Sequence, residues 1–289
     1  MKEQNSEDIK KHSAKLLLKT EANLGEGPVW LPTSNELIWV DINKGQVHSF
    51  NVNLKEDEIL YQGEKISCVL PISEKEFLIA DLNTLIKFNK ETKESSPFLK
   101  IDFKGSNIRF NDGKIDPNGN LWIGTMDMDV LPNKGSLYRI DSRKNVSEVL
   151  KRITISNGLA WSIDAKIMYY IDTYENVVYA FDFNEKSEIS NQRIAINIPK
   201  DLGAPDGMTI DKKGNLWVAM WGGAAVICWN PKTGQILEKN EVQAPHVTSC
   251  VFGGKDMDVL FITTAREGLS EKGLETYPLS GSLFYINID

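Results

Sequence analysis

Glu26, Ser67, Asp112, Asn157, Asp206 and Ser249 each stand directly before a small residue, Gly or Cys, and lie 41, 45, 45, 49 and 43 residues apart. Three carboxylates and an amide gathered at one narrow place would repel one another and lose hydration unless positive charge lay among them. A hard divalent cation with oxygen ligands is the natural occupant. Asp112-Gly113, Asn157-Gly158 and Asp206-Gly207 also have the form of simple turn pairs. Glu26 does not, because Glu is not a preferred turn residue, and it holds the equivalent position. Arg109 and Asn111, close to Asp112, have the chemistry to face an anion or a hydroxylated ligand. His246 lies three residues before Ser249 but has no evident base or nucleophile partner. Trp221, Gly222 and Gly223 are candidates for a rim. A Gly-rich phosphate loop, a nucleophile elbow and Cys/His zinc spacing are all missing, which argues against covalent catalysis.

The elements that must carry these residues repeat with them. Around Asp112 the order is an alternating run, the turn Pro117-Asn118-Gly119-Asn120, and the run Leu121-Trp122-Ile123-Gly124. Strand, tight turn, strand is the reading this supports. Pro205 to Ala219 is nearly a second copy, and looser versions begin at Glu26, Ser67, Ser156 and Ser249. A third strand-like run follows in each unit, such as Val47-His48-Ser49-Phe50 and Val177-Val178-Tyr179-Ala180-Phe181. Units of about 40 to 50 residues without helical patterning predict the blades of a propeller. The expected fold is therefore all-β, a six-bladed β-propeller, with the innermost strand of each blade lining a central channel. The six aligned residues are then predicted to ring one mouth. After Ser282–Asn287 the chain has no room for a fourth strand in the last blade. The apolar run Ala14–Thr20 is predicted to supply it from the N-terminus and to close the ring. The insertions 127–134, 203–205 and 266–278 are expected near the mouth, since loops on a rigid scaffold carry sites.

Composition sets the remaining bounds. The 289 residues show no linker or compositional break, so residues 14–289 are expected to form one domain after a polar tail over 1–13. A net charge of -7 disfavours nucleic acid, whose binders need a basic footprint. Cys68, Cys228 and Cys250 sit in apolar runs and cannot all pair, which fits small buried hydrophobes in a reducing compartment. The N-terminal segment lacks the apolar core of a signal peptide, and no run approaches the ~18 apolar residues of a membrane span. A cytoplasmic protein with no membrane or nucleic-acid partner is expected.

At these motifs the chain resembles the regucalcin (senescence marker protein), gluconolactonase and luciferin-regenerating enzyme family. The resemblance runs from about Leu24 onward and rests on Gly25-Glu26-Gly27-Pro28-Val29-Trp30, Arg109-Phe110-Asn111-Asp112-Gly113-Lys114, Gly124-Thr125-Met126, Ile155-Ser156-Asn157-Gly158-Leu159, Pro205-Asp206-Gly207-Met208 and Thr248 to Gly254. It implies a six-bladed propeller with one divalent cation held by Glu26, Asn157 and Asp206, calcium first and zinc, manganese or magnesium as alternatives. It further implies hydrolysis of sugar lactones, with Arg109 and Asn111 contacting a small-molecule substrate and Asp206 as general base. Asp112 is then left without a ligand role. Animal members carry a substrate-contacting Glu in the loop after Gly-Thr-Met, where this chain has Asp129. The rival readings on the same fold are a phosphotriesterase or other esterase, and a non-catalytic calcium-binding or interaction propeller.

Overall fold

A buried aspartate builds the turn between the first two strands of a unit. The Asp116 carboxylate accepts the backbone N–H groups of Asn118 and Asn120 at 2.9 and 2.8 Å, and the indole N–H of Trp122 at 2.8 Å. Gly119, at φ 86°, takes the left-handed position of that turn, which a side chain would strain. The second copy repeats the device: Asp211 accepts from the backbone of Lys213 and Asn215 and from the Trp217 indole. Asp116→Ala removes these bonds and strands a fully buried indole donor, so we expect a loss of about 2–4 kcal/mol. Urea unfolding with an unchanged slope would measure it, and a loss below about 0.5 kcal/mol would contradict the role given to Asp116.

The computed structural model describes residues 9–105 and 107–288. Among the described residues, strands β1 to β25 form six sheets. The first five blades are built from consecutive strands. The innermost are β3 (Gly25–Leu31), β7 (Ile66–Pro71), β11 (Ile108–Ile115), β15 (Ser156–Trp161) and β19 (Ala204–Ile210). Each is followed outward by three antiparallel partners. In the sixth blade β23 (Val247–Gly253), β24 (Val259–Thr264) and β25 (Leu283–Asn287) are completed on the outside by β2 (Lys15–Leu18), with Lys15 opposite Tyr285 and Leu18 opposite Leu283. The N-terminal strand thus closes the ring.

The segment before it departs from the expected tail. Lys10–Ser13 forms β1, which pairs in parallel with β22 (Gln235–Glu241) as a fifth strand on blade five. Residues 1–8 of that tail lie outside the described residues.

Six apolar clusters hold the blades, one at each interface between neighbours. Trp122 and Leu137 of blade three meet Leu159, Trp161 and Tyr170 of blade four. Trp30, Leu37 and Trp39 of blade one meet Phe261 and Leu283 of blade six, with the Trp30 and Phe261 rings stacked at 5.1 Å. That contact makes the circle continuous. The three cysteines are buried free thiols within these clusters, as their sequence setting predicts.

Two backbone devices set the channel mouth. First, an aspartate at the end of the second strand captures the loop that enters the first. Asp41 accepts from the N–H groups of Asn23 and Leu24, Asp81 from Glu64 and Lys65, and Asp172 from Thr154 and Ile155. Second, the innermost strand of every blade carries a bulge. The register slips between Glu26 and Val29, Ile66 and Cys68, Phe110 and Gly113, Asn157 and Leu159, Pro205 and Met208, and Val247 and Ser249. Bulges bend a strand and re-aim its side chains, and here all six lie where the first strands enter the channel.

Candidate active site

The bulges do not place the six aligned residues in one ring. Glu26, Asn157 and Asp206 line a pocket of about 170 Å³ where the innermost strands begin, together with Arg109, Asn111, Thr173, Trp221 and Glu267. Asp112 and Ser249 instead line a larger cavity of about 490 Å³ toward the strand ends. Ser67 is buried in the wall, its hydroxyl on the Ala80 carbonyl at 3.4 Å. In blade three the residue that faces the mouth is Asn111, one position earlier than the alignment predicts. Its bulge sets Asn111 and Asp112 against Gly124 as blade five sets Asp206 and Gly207 against Ala219, so by register Asn111, not Asp112, holds the place of Asp206. A one-residue slip in a strand reverses the face a side chain takes.

A directed hydrogen-bond chain fixes the amides of the pocket. Arg109 donates from Nη1 to the Phe110 carbonyl at 2.8 Å and to Asn111 Oδ1 at 2.7 Å. Asn111 Nδ2 donates to the Ser156 carbonyl at 2.9 Å and to Asn157 Oδ1 at 2.7 Å. Asn157 Nδ2 donates to Thr173 Oγ1 at 2.8 Å, and Thr173 opens the short 3-10 turn Thr173–Glu175 capped by Asp172. Each donor has one acceptor partner or more, so both amides are held in one orientation, with the second lone pair of Asn157 Oδ1 unused in the chain.

The carboxyls are held against their ordinary chemistry. Burial, and then the charge of Asp112, push the Glu26 carboxyl from 4.5 up to about 8, against the opposing pull of the Gly27 N–H and of Arg109. Asp206 is pushed well above the usual carboxylate range by burial, then by Glu26 and Asp112. Glu26 keeps contact with the open space of the channel while protein surrounds it; its Oε2 accepts the Gly27 N–H at 2.7 Å, with Gly27 in the left-handed region at φ 52°. Arg109 is buried at 7% exposure; desolvation lowers its affinity for its proton, and Glu267, Glu26 and Asp206 raise it.

This donor set fits a hard divalent cation. Two carboxylates and an amide oxygen converge on a pocket that contains one guanidinium as its positive charge, and both carboxyls are pressed toward neutrality. Among the described residues no group of three or more His, Cys, Asp or Glu side chains is arranged to hold a metal, so any site here depends on the amide.

Behind the mouth, the Lys114 ammonium donates to the carbonyls of Leu159 at 3.0 Å and Met208 at 3.3 Å. It also opposes the rise that burial imposes on Asp112. Lys114 thus offsets part of the cost of burying Asp112, and the Asp112 charge in turn favours the protonated forms of Glu26 and Asp206.

The other expected residues divide. Trp221 reaches the pocket, and His246 stacks beneath it with ring centroids 4.1 Å apart and planes 9° from parallel. Nδ1 of His246 donates to the Glu267 carbonyl at 2.8 Å, so the imidazole supports the rim and is not among the lining residues. Asp129 does not line the pocket either: its Oδ2 accepts from Asn107 Nδ2 at 2.9 Å, and its N–H is bound by Asp127. The neighbouring Val130, in the left-handed region at φ 57°, takes the place at the wall. Glu267 is a lining residue that the aligned units do not reveal, because it belongs to the insertion after β24.

The sequence profile described as the SMP-30/Gluconolactonase/LRE-like region matches residues 24–266. The chain belongs to this family. Regucalcin of Danio rerio is 36% identical over 273 residues, covering 93% of this chain and 92% of the relative. Among solved structures, a calcium-binding protein, regucalcin, from Agrobacterium tumefaciens superposes with a TM-score of 0.92 at 26% identity, covering 97% of this chain and 95% of that one. A luciferin-regenerating enzyme superposes with a TM-score of 0.87 at 30% identity, with 96% of each chain covered. These family members share the propeller architecture built above. No helix among the described residues is long and apolar enough to cross a membrane.

Proposed function

We propose that the pocket at the channel mouth is the active site of a divalent-cation-dependent lactonase acting on sugar lactones. The observation that carries this reading is the convergence of Glu26, Asp206 and Asn157, two carboxyls pushed toward neutrality beside one fixed amide, on a pocket that also holds Arg109 and Asn111. Family membership supports hydrolysis of this class, and the name of the calcium-binding relative supports calcium as the resident cation. A volume near 170 Å³ equals roughly six waters, which suits a single small ring.

Glu26, Asn157 and Asp206 would hold the cation. When bound, it supplies positive charge that polarises the ester carbonyl and favours the ionised carboxylates. Asp206, kept ionised there, would accept the proton of the attacking water from its place in the same pocket as Arg109 and Asn111. Arg109 faces the lactone as a fixed, desolvated donor, already oriented by Phe110 and Asn111. Asn111 holds Asn157 in register with the carboxylates.

A phosphotriesterase on the same fold is separated from this reading by substrate. With calcium present, gluconolactone hydrolysis should exceed hydrolysis of a paraoxon-type triester. Turnover of the triester alone would overturn the lactonase assignment.

A further inference from the structure

The pocket holds a third carboxylate outside the proposed cation set. Glu267 lies on the insertion after β24 and lines the mouth beside Arg109 and Trp221. Its backbone is fastened from two sides: its N–H donates to the Asn23 carbonyl at 2.8 Å, and its carbonyl accepts from His246 Nδ1 at 2.8 Å. The preceding Arg266 anchors the same insertion through Nε to the Ser280 carbonyl at 3.1 Å and an ion pair with Glu21 at 2.8 Å. The side chain is directed too, since Oε2 accepts from Asn43 Nδ2 at 2.9 Å. Oε1 has no hydrogen-bond partner among the described residues. A carboxylate placed on a rigid rim, solvent-reachable and half satisfied, is an acceptor awaiting hydroxyl donors. Asp129, the other acidic candidate for this task, is turned to Asn107.

We propose that Glu267 is a specificity-determining residue of this pocket, accepting hydrogen bonds from ring or side-chain hydroxyls of a polyhydroxylated lactone and so selecting it over an unsubstituted one. This rests on the lactonase reading of the site. Hydrogen bonds to charged groups are among the stronger ones, so a carboxylate oxygen at the pocket rim favours a substrate that brings a hydroxyl donor over one that lacks it. The His246–Trp221 stack is the support that sets the position of the Glu267 backbone, which gives these two residues a role without proton transfer.

The test compares glucono-δ-lactone with δ-valerolactone, the same ring without hydroxyls, on the calcium-loaded full chain and on Glu267→Gln and Glu267→Ala. The preference, read as the ratio of the two kcat/KM values, should fall about tenfold in both variants, with the loss residing mainly in KM for the hydroxylated lactone. Calcium titration calorimetry on the variants separates this from damage to the cation site, and unchanged affinity is expected. An unchanged preference, or a loss of calcium affinity that accounts for the whole effect, would overturn the assignment. Failure of the wild type on both lactones would overturn the lactonase reading itself, and the role of Glu267 with it.

Discussion

Asp206→Ala is expected to lower kcat on gluconolactone by about 10³-fold or more, since in the proposed mechanism it removes both a proton acceptor and an oxygen ligand. Folding should survive the change. Asp206 is 7% exposed, and its carboxylate is repelled by Glu26 and Asp112, so cation-free protein loses a destabilising group. The thermal midpoint of the chelated variant should match or exceed that of chelated wild type, which is the usual exchange of stability for function at a strained polar site. Asp206→Asn keeps the size and one oxygen but cannot take a proton at neutral pH, and should be comparably inactive. Steady-state kinetics with parallel melting curves measure both effects. Full activity in either variant would remove Asp206 from the mechanism.

The second large effect is a pH-dependent stabilisation by the cation. The folded-state carboxyl of Glu26 lies near 8 against an ordinary 4.5, and Asp206 is shifted in the same direction. Between those values the folded protein binds more protons than the unfolded chain, so stability falls as pH rises. The contribution is fully present below the ordinary carboxylate value and is lost as pH passes the raised one. A cation binds the ionised carboxylates and competes with the proton, so its apparent affinity should rise by about tenfold per pH unit for each proton released. Melting curves at pH 5.5, 7 and 8.5, with chelator and with excess calcium, report both trends. The chelated midpoint should fall across the series, and the calcium-induced increase should grow, reaching about 2.7 kcal/mol of stabilisation where calcium is a hundredfold above its dissociation constant. A calcium increment that shrinks with pH would contradict the assignment of Glu26 and Asp206 as ligands.

The parts of this fold that the sequence declares are those made by strong local chemistry. Asp116 and Asp211, each followed by a Gly-Asn turn and a buried Trp, mark the first hairpin of their blades without ambiguity. The third strands, such as β17 (Val177–Phe183), are apolar enough to be found by pattern. The outermost strands are not. β6 (Glu56–Gln62) and β10 (Ser95–Lys100) expose most of their residues and carry little alternation, because an edge strand needs few buried side chains. Likewise β1 declares nothing: all four residues of Lys10–Ser13 are exposed, and its pairing depends on the free edge of β22.

The site shows the same division. Glu26, Asn157 and Asp206 are aligned by sequence and meet at one mouth, whereas Asp112 is aligned equally well and faces the opposite cavity. The difference is the place within the bulge, which spacing alone does not encode: Asp112 is the second residue of the two-residue bulge in β11, whereas Asp206 is the first of the two in β19, and Glu26 and Asn157 directly precede theirs. Arg109 and Asn111 stand out by type and reach the pocket. Asp129 is tied off by Asn107, a contact across 22 positions that no local pattern foretells. Glu267 was within reach of a coarser signal, since the insertion that carries it is visible in the chain while the direction of its side chain depends on Asn43 and His246.

The central claim is that a divalent cation at Glu26, Asn157 and Asp206 enables lactone hydrolysis. It is tested most directly by following gluconolactone hydrolysis with a pH indicator, using chelated protein re-supplied in turn with calcium, magnesium, manganese and zinc. The account predicts negligible turnover by the chelated protein and recovery with at least one of the four ions, saturating at one ion per chain. Undiminished turnover by fully chelated protein, or stoichiometric cation binding without hydrolysis of any sugar lactone, would contradict it.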